Sequence, residues 1–90
     1  MQTPSQAEVL QNVKWFISGY THIPPEKIEA EWELKGPELS FDEAQLGFLA
    51  MSLRGYVQHY NPDATVLAKE TRKSGQTVKS LAALIYEKSK

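Results

Sequence analysis

The sequence predicts an all-α fold: a four-helix bundle of three main helices and one short one, with a long structured loop between the first and second. Three observations predict it. Apolar residues recur at three- and four-residue spacing in three separate stretches. Each stretch is preceded by a Ser or Thr that suits a helix cap. Gly, Pro and Asn punctuate the chain between them.

The first helix opens at Thr3-Pro4-Ser5-Gln6, with Thr3 as cap, Pro4 in the first helical position and Gln6 completing a capping box. Val9, Val13, Phe16 and Ile17 form its stripe with Leu10 alongside, and Gly19 ends it. Trp15 falls off the stripe and is expected to be partly exposed. Residues 20–39 form the long connection. Ile23-Pro24-Pro25 cannot be helix interior, and residues 26–30 have room for one turn. Ile28, Trp32 and Leu34 are too apolar to float and are expected to tuck against the bundle. Connections this long in a small domain often carry function.

Gly36 and Pro37 punctuate the chain before the central helix, which is expected from Phe41 to about Tyr60. Ser40 fits as its N-cap, with Glu43 completing a Ser-x-x-Glu box. Leu46, Leu49, Leu53, Val57 and Tyr60 make one face, with Ala50 and Tyr56 at its edges. The opposite face holds Ala44, Gly47, Phe48, Met51 and Gly55, with Phe41 beside them. A solvated helix face is normally charged, so this one is either a docking surface or a second buried face. Gly47 costs about 1 kcal/mol relative to alanine in a helix interior, which a close approach would explain.

Asn61-Pro62-Asp63 breaks that helix. Thr65-Val66-Leu67 reads as an apolar anchor, followed by a short helix or polar turn to Ser74 and a stop at Gly75. Thr77 caps the last helix, Val78 to about Lys88, striped by Val78, Leu81, Leu84 and Ile85 with Ala82 beside them.

Ninety residues fit one domain, 1–90, with one modest core. The hydrophobic fraction is 41%, the charged fraction 23% and the formal net charge -1, so no basic field invites nucleic acid. There is no cysteine, which excludes disulfides, thiolate metal sites and a cysteine nucleophile. No run of about 20 apolar residues is present for a membrane span, and no secretory pattern opens the chain. A soluble cytoplasmic protein is expected. Acids dominate residues 21–39 and bases dominate from Asn61 onward. His22 and His59 lack neighbours at metal-ligand spacing, and no metal site is expected. Glu29, Glu31 and Glu33 alternate, but nothing sets an acid and a base across a cleft. No Gly-rich phosphate loop occurs, so an autonomous enzyme has no support in the residues.

Ser40 carries two readings. Most serines ahead of helices are caps and nothing more. A hydroxyl at that position also lies where free N–H groups and the helix dipole converge, a good place to hold a phosphate ester.

The arrangement as a whole resembles the acyl carrier protein family. Ile23-Pro24-Pro25-Glu26-Lys27-Ile28 is similar to the family's segment after the first helix. Leu39-Ser40-Phe41-Asp42 lies where the family has Asp-Ser-Leu-Asp, and Thr77-Val78-Lys79-Ser80-Leu81 is similar to the Thr-Val-x-x-Leu that opens its last helix. The resemblance spans roughly Val9 to Glu87. It implies that Ser40 carries a 4′-phosphopantetheine arm, installed from coenzyme A by a phosphopantetheinyl transferase using magnesium. The arm would hold acyl intermediates as thioesters for acyltransferase or synthase partners in polyketide, fatty-acid or related lipid biosynthesis. Leu39, Phe41, Ala44, Phe48 and Met51 would be the surface those enzymes grip. The protein would be a monomeric carrier, neither an enzyme nor inserted in a membrane. Leu39 replaces the family's aspartate, Pro37 stands in place of its glycine, and the second helix is nearly neutral, implying a dedicated or tolerant transferase or a fold that has lost its arm. An unmodified helical interaction module, binding through the Phe48 and Met51 face, is the expectation of a different class.

Overall fold

The computed structural model describes residues 3–90. Its elements are α1 (Gln6–Thr21), a 3-10 turn (Pro25–Lys27), α2 (Glu43–Tyr60), α3 (Ala68–Thr71) and α4 (Val78–Lys88). Among the described residues there is no extended strand, only an isolated bridge between Glu33 and Thr77. The fold is an all-helical bundle in which α1 packs mainly on α4 and α3 on α2. Among the described residues no helix is long and apolar enough to cross a membrane.

α1 starts two residues later than the Thr3 box predicts. Ser5 is the cap, its Oγ accepting from the Glu8 N–H at 3.1 Å, and Pro4 is buried outside the helix. The helix also runs past Gly19 to Thr21. His22 closes it in the left-handed region at φ 64°, donating its N–H to the Ser18 carbonyl. Glycine inside a helix is tolerated, and the chain reverses where that hydrogen bond forms. Val9, Val13 and Ile17 are fully buried, while Trp15 is 64% exposed.

The core face of α2 is the predicted one. Leu46, Leu49, Ala50, Leu53 and Val57 are buried, and Tyr60 is half-buried with its ring edge-on to Tyr56 at 5.5 Å. Asn61 ends the helix and donates from Nδ2 to the Lys88 and Lys90 carbonyls, fastening the far end of α2 to the end of α4. Thr77 caps α4 as predicted, accepting from the Ser80 N–H at 3.0 Å. The short helix is a single turn, anchored by buried Val66 ahead of it and by buried Thr71, whose Oγ1 donates to the Leu46 carbonyl at 2.8 Å. Lys88 reaches back from α4 to pair with Glu70 at 3.1 Å. Burial pushes the Glu70 carboxyl up, but the Leu67 N–H and the Lys88 and Lys69 ammoniums outweigh it and hold the group below its ordinary value.

The long connection is structured throughout. Ile28 and Leu34 are buried and Trp32 packs on the core. Backbone bonds zip the connection to the start of α4: Leu34 N–H to the Gln76 carbonyl at 2.9 Å, Val78 N–H to Trp32 at 2.9 Å and Lys79 N–H to Ala30 at 2.8 Å. Pairing these backbone groups lets an irregular segment lie against a core without orphaning them.

Candidate functional site

The Ser40 segment is a tight reversal that ends just ahead of α2. The Leu34 carbonyl accepts from the Phe41 N–H at 3.1 Å, and inside that pair the Gly36 carbonyl accepts from the Ser40 N–H at 2.7 Å. Gly36 suits the turn, because a β-carbon there would stand 3.1 Å from the Glu33 carbonyl oxygen, a tight contact. Ser40 is exposed, and its Oγ donates to the Pro37 carbonyl at 2.9 Å.

Ser40 is not the N-cap of α2, and its box with Glu43 does not form. The cap is Asp42, whose Oδ1 accepts from the Gln45 N–H at 2.7 Å while Gln45 Oε1 accepts from the Asp42 N–H at 3.0 Å. The helix therefore begins at Glu43 and not at Phe41. The cause is tertiary. Phe41 is only 6% exposed, its ring against Tyr20 at 6.2 Å, and its N–H is bound to Leu34, so residues 40 and 41 are held outside the helix.

Ser40 has φ 51°, and among the described residues it shares a positive φ outside glycine only with His22, which closes a helix. The left-handed region costs a residue with a β-carbon about 1–2 kcal/mol. Strain of this kind persists where surrounding structure enforces it, and it concentrates at functional sites. Buried Leu39 and Phe41 enforce it here, one on either side, turning Ser40 outward.

That burial corrects two expected docking residues. Leu39 and Phe41, each 6% exposed, are anchors of the turn and offer no surface to a partner. Ala44, Phe48 and Met51 do lie open, Phe48 at 57% and Met51 at 62%. They line a shallow cleft of about 420 Å³ with Gly47, Val66, Ala68 and Arg72. Of the two readings of this face, the structure leaves it open to solvent.

Glu43 organises the first turn of α2. Its Oε1 takes Lys35 Nζ at 3.1 Å and its Oε2 takes Arg72 Nε at 3.0 Å. Arg72 passes over Gly47, its Nη2 lying 3.0 Å from where a β-carbon would stand. This is the close approach that the glycine implied. Sequence reasoning missed Lys35 and Arg72. A basic residue eight positions before Glu43 and another twenty-nine after it leave no periodic signal. Among the described residues no group of His, Asp and Glu is placed to hold a metal ion.

Comparison with protein-family models, with curated proteins and with solved structures finds no match for this chain.

Proposed function

We propose that the protein is an acyl carrier whose Ser40 is esterified by 4′-phosphopantetheine. The observation that carries the reading is the state of Ser40: an exposed hydroxyl on a strained residue, turned outward by buried neighbours beside the first turn of α2. The resemblance in the order of helices, loop and serine supports it. The group fits the residues present, since the hydroxyl is exposed and, among the described residues, its one hydrogen bond is to the Pro37 carbonyl of its own turn. In the modification Ser40 Oγ loses its proton and bonds to the phosphorus of coenzyme A that bears the pantetheine, while the phosphoanhydride bond breaks and adenosine 3′,5′-bisphosphate departs. When bound, the group supplies a terminal thiol that carries acyl chains as thioesters. Ser40 contributes the anchor, and Ala44, Phe48 and Met51 present an apolar surface to transferase and synthase partners. Polyketide, fatty-acid or related lipid synthesis in the cytoplasm is the setting that goes with this reading.

The test is intact mass after incubation with coenzyme A, magnesium and a phosphopantetheinyl transferase of broad specificity. One added phosphopantetheine is expected on the parent chain and none on Ser40→Ala. Failure to load with every transferase tried, those of the source cell included, rejects the proposal. The open Phe48 and Met51 face favours a second reading, an unmodified interaction module. The mass of the protein purified from its native source separates the two.

A further inference from the structure

Esterification of Ser40 has a fixed consequence for the turn that bears it. The hydroxyl is the donor in its 2.9 Å bond to the Pro37 carbonyl. Once Oγ is bonded to phosphorus that proton is gone, and two acceptors face each other. The side chain must turn away from Pro37 and carry a new anion with it.

The charges nearby in the chain and the fold decide what receives that anion. Glu38, Asp42 and Glu43 repel it. The Glu38 carboxylate folds over Gly36, 3.5 Å from where a β-carbon would stand, and Asp42 is engaged as the helix cap. Arg72 is committed to Glu43, through two bonds to its carbonyl and one to its carboxylate. Lys35 differs. Its backbone lies between the two pairs that close the reversal, Leu34 with Phe41 and Gly36 with Ser40, on the limb of the turn opposite Ser40. Among the described residues its ammonium has one partner, Glu43 Oε1, and its side chain is 39% exposed. An ammonium has three donors, and Glu43 keeps Arg72 if Lys35 swings aside.

We infer that Lys35 is the positioning residue that receives a phosphate ester on Ser40. The inference rests on the reading of Ser40 as an esterified residue, but its test does not require a transferase. Phosphoserine is encoded at position 40 of the full chain, and its phosphorus resonance is followed against pH. The second proton of a phosphoserine leaves near pH 6. A neighbouring ammonium favours the dianion and lowers that value. Lys35→Gln therefore raises it, by about 0.2–0.7 of a pH unit, the span of an exposed ion pair. Lys90→Gln is the control. Lys90 is fastened to Asn61 at the other end of α2, about 27 Å away by helix rise, and its loss leaves the titration unchanged.

Identical titrations in the parent and Lys35→Gln overturn the inference, as do equal rises in the two variants. Loading with coenzyme A is measured in parallel. No loading by any transferase tried, those of the source cell included, with a Lys35-dependent titration rejects the carrier reading and keeps the contact. Loading with an indifferent titration keeps the carrier and removes Lys35.

Discussion

Arg72 donates from Nε and Nη2 to the main-chain carbonyl of Glu43, at 3.0 and 2.7 Å, and ties the end of α3 to the first turn of α2. The guanidinium occupies space that a side chain at position 47 would claim. Gly47→Ala is worth about 1 kcal/mol of added stability in an unobstructed helix interior. With Arg72 in place the gain falls short, because the guanidinium has to shift. With Arg72→Ala the full gain returns. Urea denaturation of both single variants and the double is expected to give a coupling of at least about 0.5 kcal/mol. Strict additivity would put Arg72 somewhere other than over Gly47.

Capping distinguishes Asp42 from Ser40. Asp42→Ala removes the N-cap and is expected to lose about 1 kcal/mol. Ser40→Gly exchanges one hydrogen bond for relief of a left-handed φ, two effects of about 1 kcal/mol and opposite sign, so its stability stays near that of the parent. Thermal denaturation of the pair decides. A loss at Ser40 with none at Asp42 would return the cap to Ser40.

The two faces of α2 should respond oppositely to truncation. Leu53 is fully buried, and Leu53→Ala is expected to cost about 2–5 kcal/mol. Phe48 is 57% exposed, and Phe48→Ala is expected to stay within about 0.5 kcal/mol. Equal losses in chemical denaturation would mean that the open face is covered in solution.

Glu70 ties stability to acid. Burial raises its carboxyl, but the Leu67 N–H and the Lys88 and Lys69 ammoniums prevail, so its folded value lies below the unfolded one. The stabilisation is thus present above the unfolded carboxylate value of about 4.3 and is lost as pH falls below it through the folded value. Glu70→Gln keeps an oxygen for the Leu67 N–H but loses the Lys88 pair. Its stability is expected to decline less steeply between pH 5 and 3 than the parent's, measured by urea midpoints across that range. Parallel declines would remove Glu70 from the acid response.

Much of the scaffold is written locally. Thr77 and the stripe Val78, Leu81 and Ile85 foretell α4, Asn61-Pro62 foretells the end of α2, and Ile28 and Leu34 are buried as their apolarity demands. The errors cluster where two local signals compete. Ser40-x-x-Glu43 and Asp42-x-x-Gln45 both suit a capping box, and so do the candidate caps Thr3 and Ser5. At α2 the choice is made by Phe41 sinking against Tyr20 and by its bond to Leu34, contacts that a capping pattern read over four residues does not contain. Leu39 and Phe41 illustrate the same limit. Apolar residues beside a candidate site read equally as a surface for partners or as anchors, and only packing separates the two.

The bonds from Ala30, Trp32 and Leu34 to the start of α4 give the connection a character its prolines conceal. Residues 30–34 lie between helices and would ordinarily invite a protease, yet this part of the connection is stitched to the beginning of the last helix. Cutting within residues 30–34 would demand that the opening turn of α4 come loose first, so limited digestion should spare that stretch and find other places to nick.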